Sequence, residues 1–125
     1  MEAEGDSPII TVSMSPLHDP ESGVDVDAFL DSGTSTSLFN GSFLQGFDIA
    51  VINDHPKTFR ATSGASLTAY LHAVRLTLPT VGVFDLTVAF SIDPIIRNLL
   101  GRDFFNLVQI GFRERHLQYF LQPTP

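Results

Sequence analysis

Residues Val24 to Ala28 alternate apolar and polar side chains, and the chain then runs Ala28-Phe29-Leu30 straight into Asp31-Ser32-Gly33. Alternation is the period of a half-buried strand, and the closing apolar run puts the end of that strand inside a core. A carboxylate delivered there loses hydration, so something must stabilise its charge or it must share a proton. Gly33 allows backbone N–H groups to approach it closely, and Ser32 and Thr34 set hydroxyls beside it. Asp31 is therefore a candidate for acid–base chemistry. The competing reading is a plain turn, since Asp, Ser and Gly all favour turns. The apolar approach and the hydroxyl run Thr34-Ser35-Thr36-Ser37 weigh against a surface turn.

A chain of 125 residues with 43% apolar residues suits one domain with a real core. The absence of Cys excludes disulfides, thiolate metal sites and cysteine nucleophiles. A formal charge of −7 disfavours nucleic acid, whose phosphates need a basic face, and disfavours anionic membrane surfaces. No stretch approaches the ~20 apolar residues of a membrane span. The start Met1-Glu2-Ala3-Glu4-Gly5-Asp6 is acidic and lacks the basic-then-apolar pattern of a signal peptide. The expectation is a soluble protein, cytoplasmic or a domain of a larger chain.

Pro8 to Met14 reads as a strand, Ser15 to Gly23 as a turn-rich loop and Val24 to Leu30 as the second strand. Ser37 to Phe43 reads as extended with a turn at Asn40-Gly41, and Phe47 to Ile52 is ambiguous. Thr58 to Thr62 and Leu67 to Leu78 read as a hairpin around Ser63-Gly64-Ala65-Ser66. Val83 to Ile92 alternates strongly, with Asp93-Pro94 opening a turn. Arg102 to Gln109 fits a short helix, and Leu117 to Leu121 a last strand. The total is mostly β with one helix.

Other chemistry finds little support. His18, His55, His72 and His116 lack metal-ligand spacing. Gly64-Ala65-Ser66 lacks the second Gly of a nucleophile elbow, and no phosphate-binding Gly-rich loop ends in Lys-Ser/Thr. Asn40-Gly41-Ser42 is formally a glycosylation sequon, although Asn-Gly is more often a turn. Asp25 and Asp27 are expected to face solvent. No cofactor and no metal are expected.

The Asp31 segment, the hairpin around Gly64 and the run Leu99-Leu100-Gly101-Arg102-Asp103 occur in an order that resembles the retropepsin-like aspartic proteases, the homodimeric relatives of pepsin. That family's pattern is an apolar run, Asp-Ser/Thr-Gly-Ala/Thr/Ser, a glycine-tipped flap, then two apolar residues and Gly opening a short helix. Ser7-Pro8-Ile9-Ile10-Thr11-Val12 also looks like the family's first strand, so the resemblance spans Pro8 to Leu121. Two features depart from it. The Ser15–Gly23 loop is longer than in typical viral members. Viral members also often pair an acid four residues after the catalytic Asp with the arginine of the Gly-Arg step, and position 35 is Ser. The partner of Arg102 is thus left open, and both departures point to a cellular or bacterial relative.

The resemblance implies a single-domain, closed β-barrel-like acid-protease fold over residues 8–121, with one short C-terminal helix and tails at 1–7 and 122–125. It implies Asp31 as the catalytic residue, with Ser32, Gly33 and Thr34 in support. Ser32 would bond across a dimer interface, the Gly33 N–H would bind the carboxylate, and Thr34 would sit near its outer oxygen. Ser63, Gly64, Ala65 and Ser66 would form the flap, and Leu99, Leu100 and Gly101 the structural loop under the site. Leu30, Ile92 and Ile95 are candidates for apolar pockets. One Asp-Ser-Gly per chain means that a second Asp31 must come from a homodimer, with peptide or protein as substrate. The N-terminal strand and Leu117–Leu121 would interleave in the dimer sheet. An alternative is a catalytically weak or inactive domain of this type used for dimerisation or peptide binding, since fold does not guarantee activity. A third reading is a non-protease β-barrel in which Asp31-Ser32-Gly33 is a turn.

Overall fold

The computed structural model describes residues 8–60, 64–79, 81–95 and 97–109. The expected strand Leu117–Leu121, both tails and the flap residue Ser63 lie outside the described residues. Strand β1 (Ile9–Pro16) pairs antiparallel with β2 (Val24–Leu30), with Val12 opposite Val26 and Ile10 opposite Ala28. Side chains on a strand alternate between faces. That sends Val12, Met14, Val26 and Ala28 into the core and leaves Asp25 and Asp27 in solvent. Thr11 Oγ1 donates to Asp27 Oδ1 at 2.5 Å on this outer face.

The strand β3 (Leu38–Asn40) is shorter than the extended piece expected over 37–43, because helix α1 (Ser42–Gly46) begins right after Gly41. Gly41 is packed so closely that a Cβ there would lie 2.3 Å from the Ser91 carbonyl oxygen, while its N–H donates to that same oxygen at 2.9 Å. Leu44 of α1 is fully buried, which drives this turn of helix inward. The ambiguous segment after it is irregular. Asp48 has φ 61°, in the left-handed region, and lets the Ile49 N–H return to the Leu44 carbonyl at 2.9 Å. The sequon at Asn40 is structural among the described residues. Its Nδ2 donates to Ile95 O and Asn98 Oδ1, each at 3.2 Å, and its Oδ1 accepts from Ile95 N at 2.8 Å.

Strands β4 (Pro56–Arg60) and β5 (Ser66–Leu78) form the expected hairpin, and β5 continues antiparallel to β6 (Gly82–Ser91). Val83, Asp85 and Thr87 are exposed while Phe84, Leu86 and Val88 turn inward, as their alternation requires. Strand β7 (Leu99–Leu100) runs parallel to β2 and antiparallel to β3. A second helix, α2, covers described residues 102–109, so the described residues hold two short helices rather than the one expected. The short α1 carries a single buried residue, too few for a periodic pattern to announce it.

Among the described residues seven strands form one sheet in the order β1-β2-β7-β3-β6-β5-β4, and a further β1–β5 pairing folds it back on itself. The main core holds Val12, Met14, Phe39, Leu44, Val74, Leu76, Phe90, Leu100 and Phe104. A side chain of this size contributes about 1.5–3 kcal/mol when fully buried. A smaller cluster of Leu38, Ala69 and Ala89 lies against Phe59 and Leu67 of the hairpin. Among the described residues no helix is long and apolar enough to cross a membrane.

Arg75 and Asp85 face each other across β5 and β6, with Nε and Oδ1 2.7 Å apart. The hydrogen bond from Arg75 holds the Asp85 carboxyl below its ordinary range. A carboxyl depressed in the folded state stabilises the fold above its unfolded value of about 3.9, and that contribution is lost as pH falls through the folded value. In a side-chain NMR titration Asp85 is expected to titrate below an unfolded-state Asp. Arg75→Ala should move its midpoint upward, and an unmoved midpoint would show that the pair does not hold the carboxyl.

Candidate active site

Parallel pairing of β2 with β7 sets Phe29 beside Leu99 and Leu30 beside Leu100, so Asp31 leaves the sheet at a defined height. Its N–H donates to the Leu100 carbonyl at 2.9 Å. The chain then turns at once: Thr34 N donates to Asp31 O at 3.3 Å, and Gly33 N donates to Asp31 Oδ1 at 2.9 Å. The expected contact between the Gly33 N–H and the carboxylate is thus present within one chain. A Cβ on Gly33 would lie 3.1 Å from that oxygen, tighter than ordinary packing. Asp31 itself is half-buried.

The loop rests on the start of α2. Arg102 N donates to Thr34 O at 2.9 Å and Asp103 N to Ser35 O at 3.2 Å. This approach explains Gly101, where a Cβ would lie 2.7 Å from the Thr34 carbonyl oxygen. Below it sits a polar knot. Ser37 is fully buried. Its N–H donates to Asp103 Oδ2 at 3.0 Å and its hydroxyl to Asp103 Oδ1 at 2.7 Å. Ser37 Oγ accepts from Gly101 N at 3.0 Å, and Asp103 Oδ1 also accepts from Phe104 N at 2.7 Å. The partner of Arg102 is a carbonyl: Nη1 donates to Ser32 O at 3.0 Å.

The Thr34 hydroxyl donates to Thr36 O at 3.1 Å. Ser32 is exposed, and its hydroxyl has no hydrogen-bond partner among the described residues.

Asp31, Gly33 and Thr34 border an open cleft of about 660 Å³. Leu38 and Leu99 also line it, with Phe59, Arg60, Ala65, Ser66 and Leu67 from the hairpin. This size suits a ligand site. Ala65 and Ser66 thus join Asp31, while Gly64 occupies the hairpin tip with φ 91°, a conformation glycine tolerates. Leu38, Phe59, Arg60 and Leu67 were not foreseen. Phe59 lies opposite Leu67, and that cross-strand match becomes readable only once the hairpin register is known. The pocket candidates Leu30, Ile92 and Ile95 do not line this cleft. Leu30 packs on the main core, Ile95 packs on the Leu38 cluster, and Ile92 lines a second cavity of about 270 Å³ with Val51 and Ile52. Among the described residues no three His, Cys, Asp or Glu converge as a metal site would require.

No protein-family model and no curated protein matches the chain. Solved structures do. The EIAV protease in complex with the inhibitor HBY-793 superposes with a TM-score of 0.63 at 13% identity, over 87% of this chain and 94% of that one. A retropepsin-like aspartic protease from Rickettsia conorii superposes with a TM-score of 0.53 at 13% identity, over 79% of this chain and 69% of that one. The chain has the fold of the retropepsin-like aspartic proteases.

Replacing Ser37 by Ala leaves the buried Gly101 N–H without its acceptor and removes one of the three donors to Asp103. Urea unfolding is expected to show a loss of about 1–3 kcal/mol. A loss within error of zero would mean that the knot does not support the loop.

Proposed function

We propose that the protein is an aspartic endopeptidase whose active site is completed by a second copy of the chain. The observation that carries this reading is the Asp31 carboxylate, held by the Gly33 N–H at the wall of an apolar cleft that a hairpin borders. The shared fold supports it. Hydrolysis without a metal or a covalent nucleophile needs one group to deprotonate water and another to protonate the leaving amide. Two carboxylates in contact cannot both ionise, so they share one proton and supply both roles. The chain supplies one such aspartate. Its twin across a two-fold axis supplies the other, with Ser32 of each copy free to bond across the interface.

In this scheme the ionised carboxylate of the pair takes a proton from water as the water attacks the scissile carbonyl. The protonated carboxyl first donates to the carbonyl oxygen. The proton taken from water then passes to the amide nitrogen, and the C–N bond breaks. As the C=O re-forms, the proton held on that oxygen returns to the carboxylate, so the pair ends with one proton, as it began. The Gly33 N–H keeps the carboxylate oriented throughout. An extended peptide would lie between the hairpin and the Asp31 loop, with apolar side chains against Leu38, Phe59, Leu67 and Leu99. The Ser63–Ser66 segment would act as a flap that excludes water. Residues 8–121 would form the catalytic domain.

Asp31→Asn is expected to reduce cleavage of a peptide library by at least about a thousandfold. Sedimentation of the variant should still show a dimer. Native protein that cleaves nothing between about pH 3 and 7, the range in which a carboxylate pair holds one proton, would instead favour a peptide-binding or dimerisation domain. At −7 per chain two copies repel at neutral pH, so dimers are expected to be tighter at pH 5 than at pH 8. An equal monomer fraction at both values would contradict this.

A further inference from the structure

The chain carries seven Lys and Arg against fourteen Asp and Glu. Five of the cations are described, and one of these, Arg75, meets a carboxylate, that of Asp85. Lys57 sits over the Phe59 ring at 5.9 Å, Arg97 over the Phe29 ring at 4.4 Å, and Arg102 on the Ser32 carbonyl. The side chain of Arg60 has no hydrogen bond, ion pair or ring contact among the described residues. It nevertheless lines the cleft that holds Asp31. In so acidic a chain, an arginine that meets no acid among the described residues stands out at a cleft wall.

Its position indicates what it could bind. Phe59 lies opposite Leu67, and Arg60 lies opposite Ser66, in the last two paired positions before the hairpin tip. Alternation turns Phe59 and Leu67 to the apolar cluster around Leu38, and turns Arg60 and Ser66 to the exposed face. Both pairs border the cleft, so an apolar interior has a guanidinium at its rim. Arginine reaches over apolar surface on its aliphatic stem, and its planar fork matches a carboxylate with two parallel hydrogen bonds. The acid that lines the same cleft, Asp31, accepts from the Gly33 N–H through Oδ1.

We propose that the cleft selects extended peptides in which an acidic side chain flanks the apolar residues it buries, and that Arg60 recognises that acid. The proposal rests on the reading of this cleft as a peptide site, but not on turnover. The test uses matched extended peptides that differ only in Glu, Gln or Lys beside an apolar pair. Cleavage by the native chain gives kcat/KM. Binding to the Asp31→Asn variant, read by fluorescence anisotropy at pH 6 in low salt, gives affinity without chemistry. Glu is ionised under these conditions. The Glu peptide is expected to exceed the Gln peptide by about three- to tenfold, with Lys weakest. Arg60→Ala should bring the ratios near one, and Arg60→Glu should invert them in favour of Lys. Arg60 is exposed and unpartnered among the described residues, so both variants should fold, as circular dichroism would check. Selective binding of the Glu peptide without any cleavage would sink the protease reading and support the role of Arg60. Equal affinity for the three peptides, a Glu preference that survives Arg60→Glu, or no binding by any peptide would overturn it.

Discussion

The hydrogen bond from the Asp31 N–H to the Leu100 carbonyl joins the end of β2 to the end of β7, and the candidate site is arranged around that junction. Two parallel strands that are distant in sequence place the Asp31 loop and the Gly101 turn in contact. Once they touch, Thr34 and Ser35 lend their carbonyls to the first N–H groups of α2, which lack partners inside their own helix. The loop therefore satisfies the helix start, and the helix start shapes the loop.

The polar knot beneath gives this junction its rigidity. Ser37 is fully buried, and a buried hydroxyl without partners would destabilise the fold. Here the hydroxyl both donates and accepts, and the Asp103 carboxylate collects three donors. Each group is held by groups that are themselves held, which leaves the loop few alternative conformations. Asp103 plays a structural part that its position in Gly101-Arg102-Asp103 does not by itself disclose. Arg102, with Ser at position 35, settles on a main-chain carbonyl instead of an acid.

Much of the architecture could be read from the chain in advance. Val24–Leu30 is a strand with the expected bounds, because alternation and a terminal apolar run leave little choice. The hairpin about Gly64 and the helix after Gly101 were readable from turn residues and apolar spacing. Helix α1 was not, because one buried leucine in five residues has no period. Of the candidate site, Asp31 and Gly33 were legible from motif chemistry, and Gly101 from the family resemblance. The cleft walls Leu38, Phe59, Arg60 and Leu67 were not, since each is an ordinary strand residue until the pairing is known.

The sequence alone singled out the Asp31 carboxylate as the candidate for acid–base chemistry, set one Asp-Ser-Gly in each chain, and called for glycine at 33 beside that carboxylate. These are local demands: a strand period and a tight turn. Tertiary structure decided what surrounds that carboxylate. The sheet's crossing order brings β7 between β2 and β3, and the hairpin register turns Phe59 and Leu67 toward the core. It thereby leaves Arg60 at the rim of the cleft with no acid beside it among the described residues. Contacts between residues far apart in the chain depend on strand order and register, and no local pattern encodes either one.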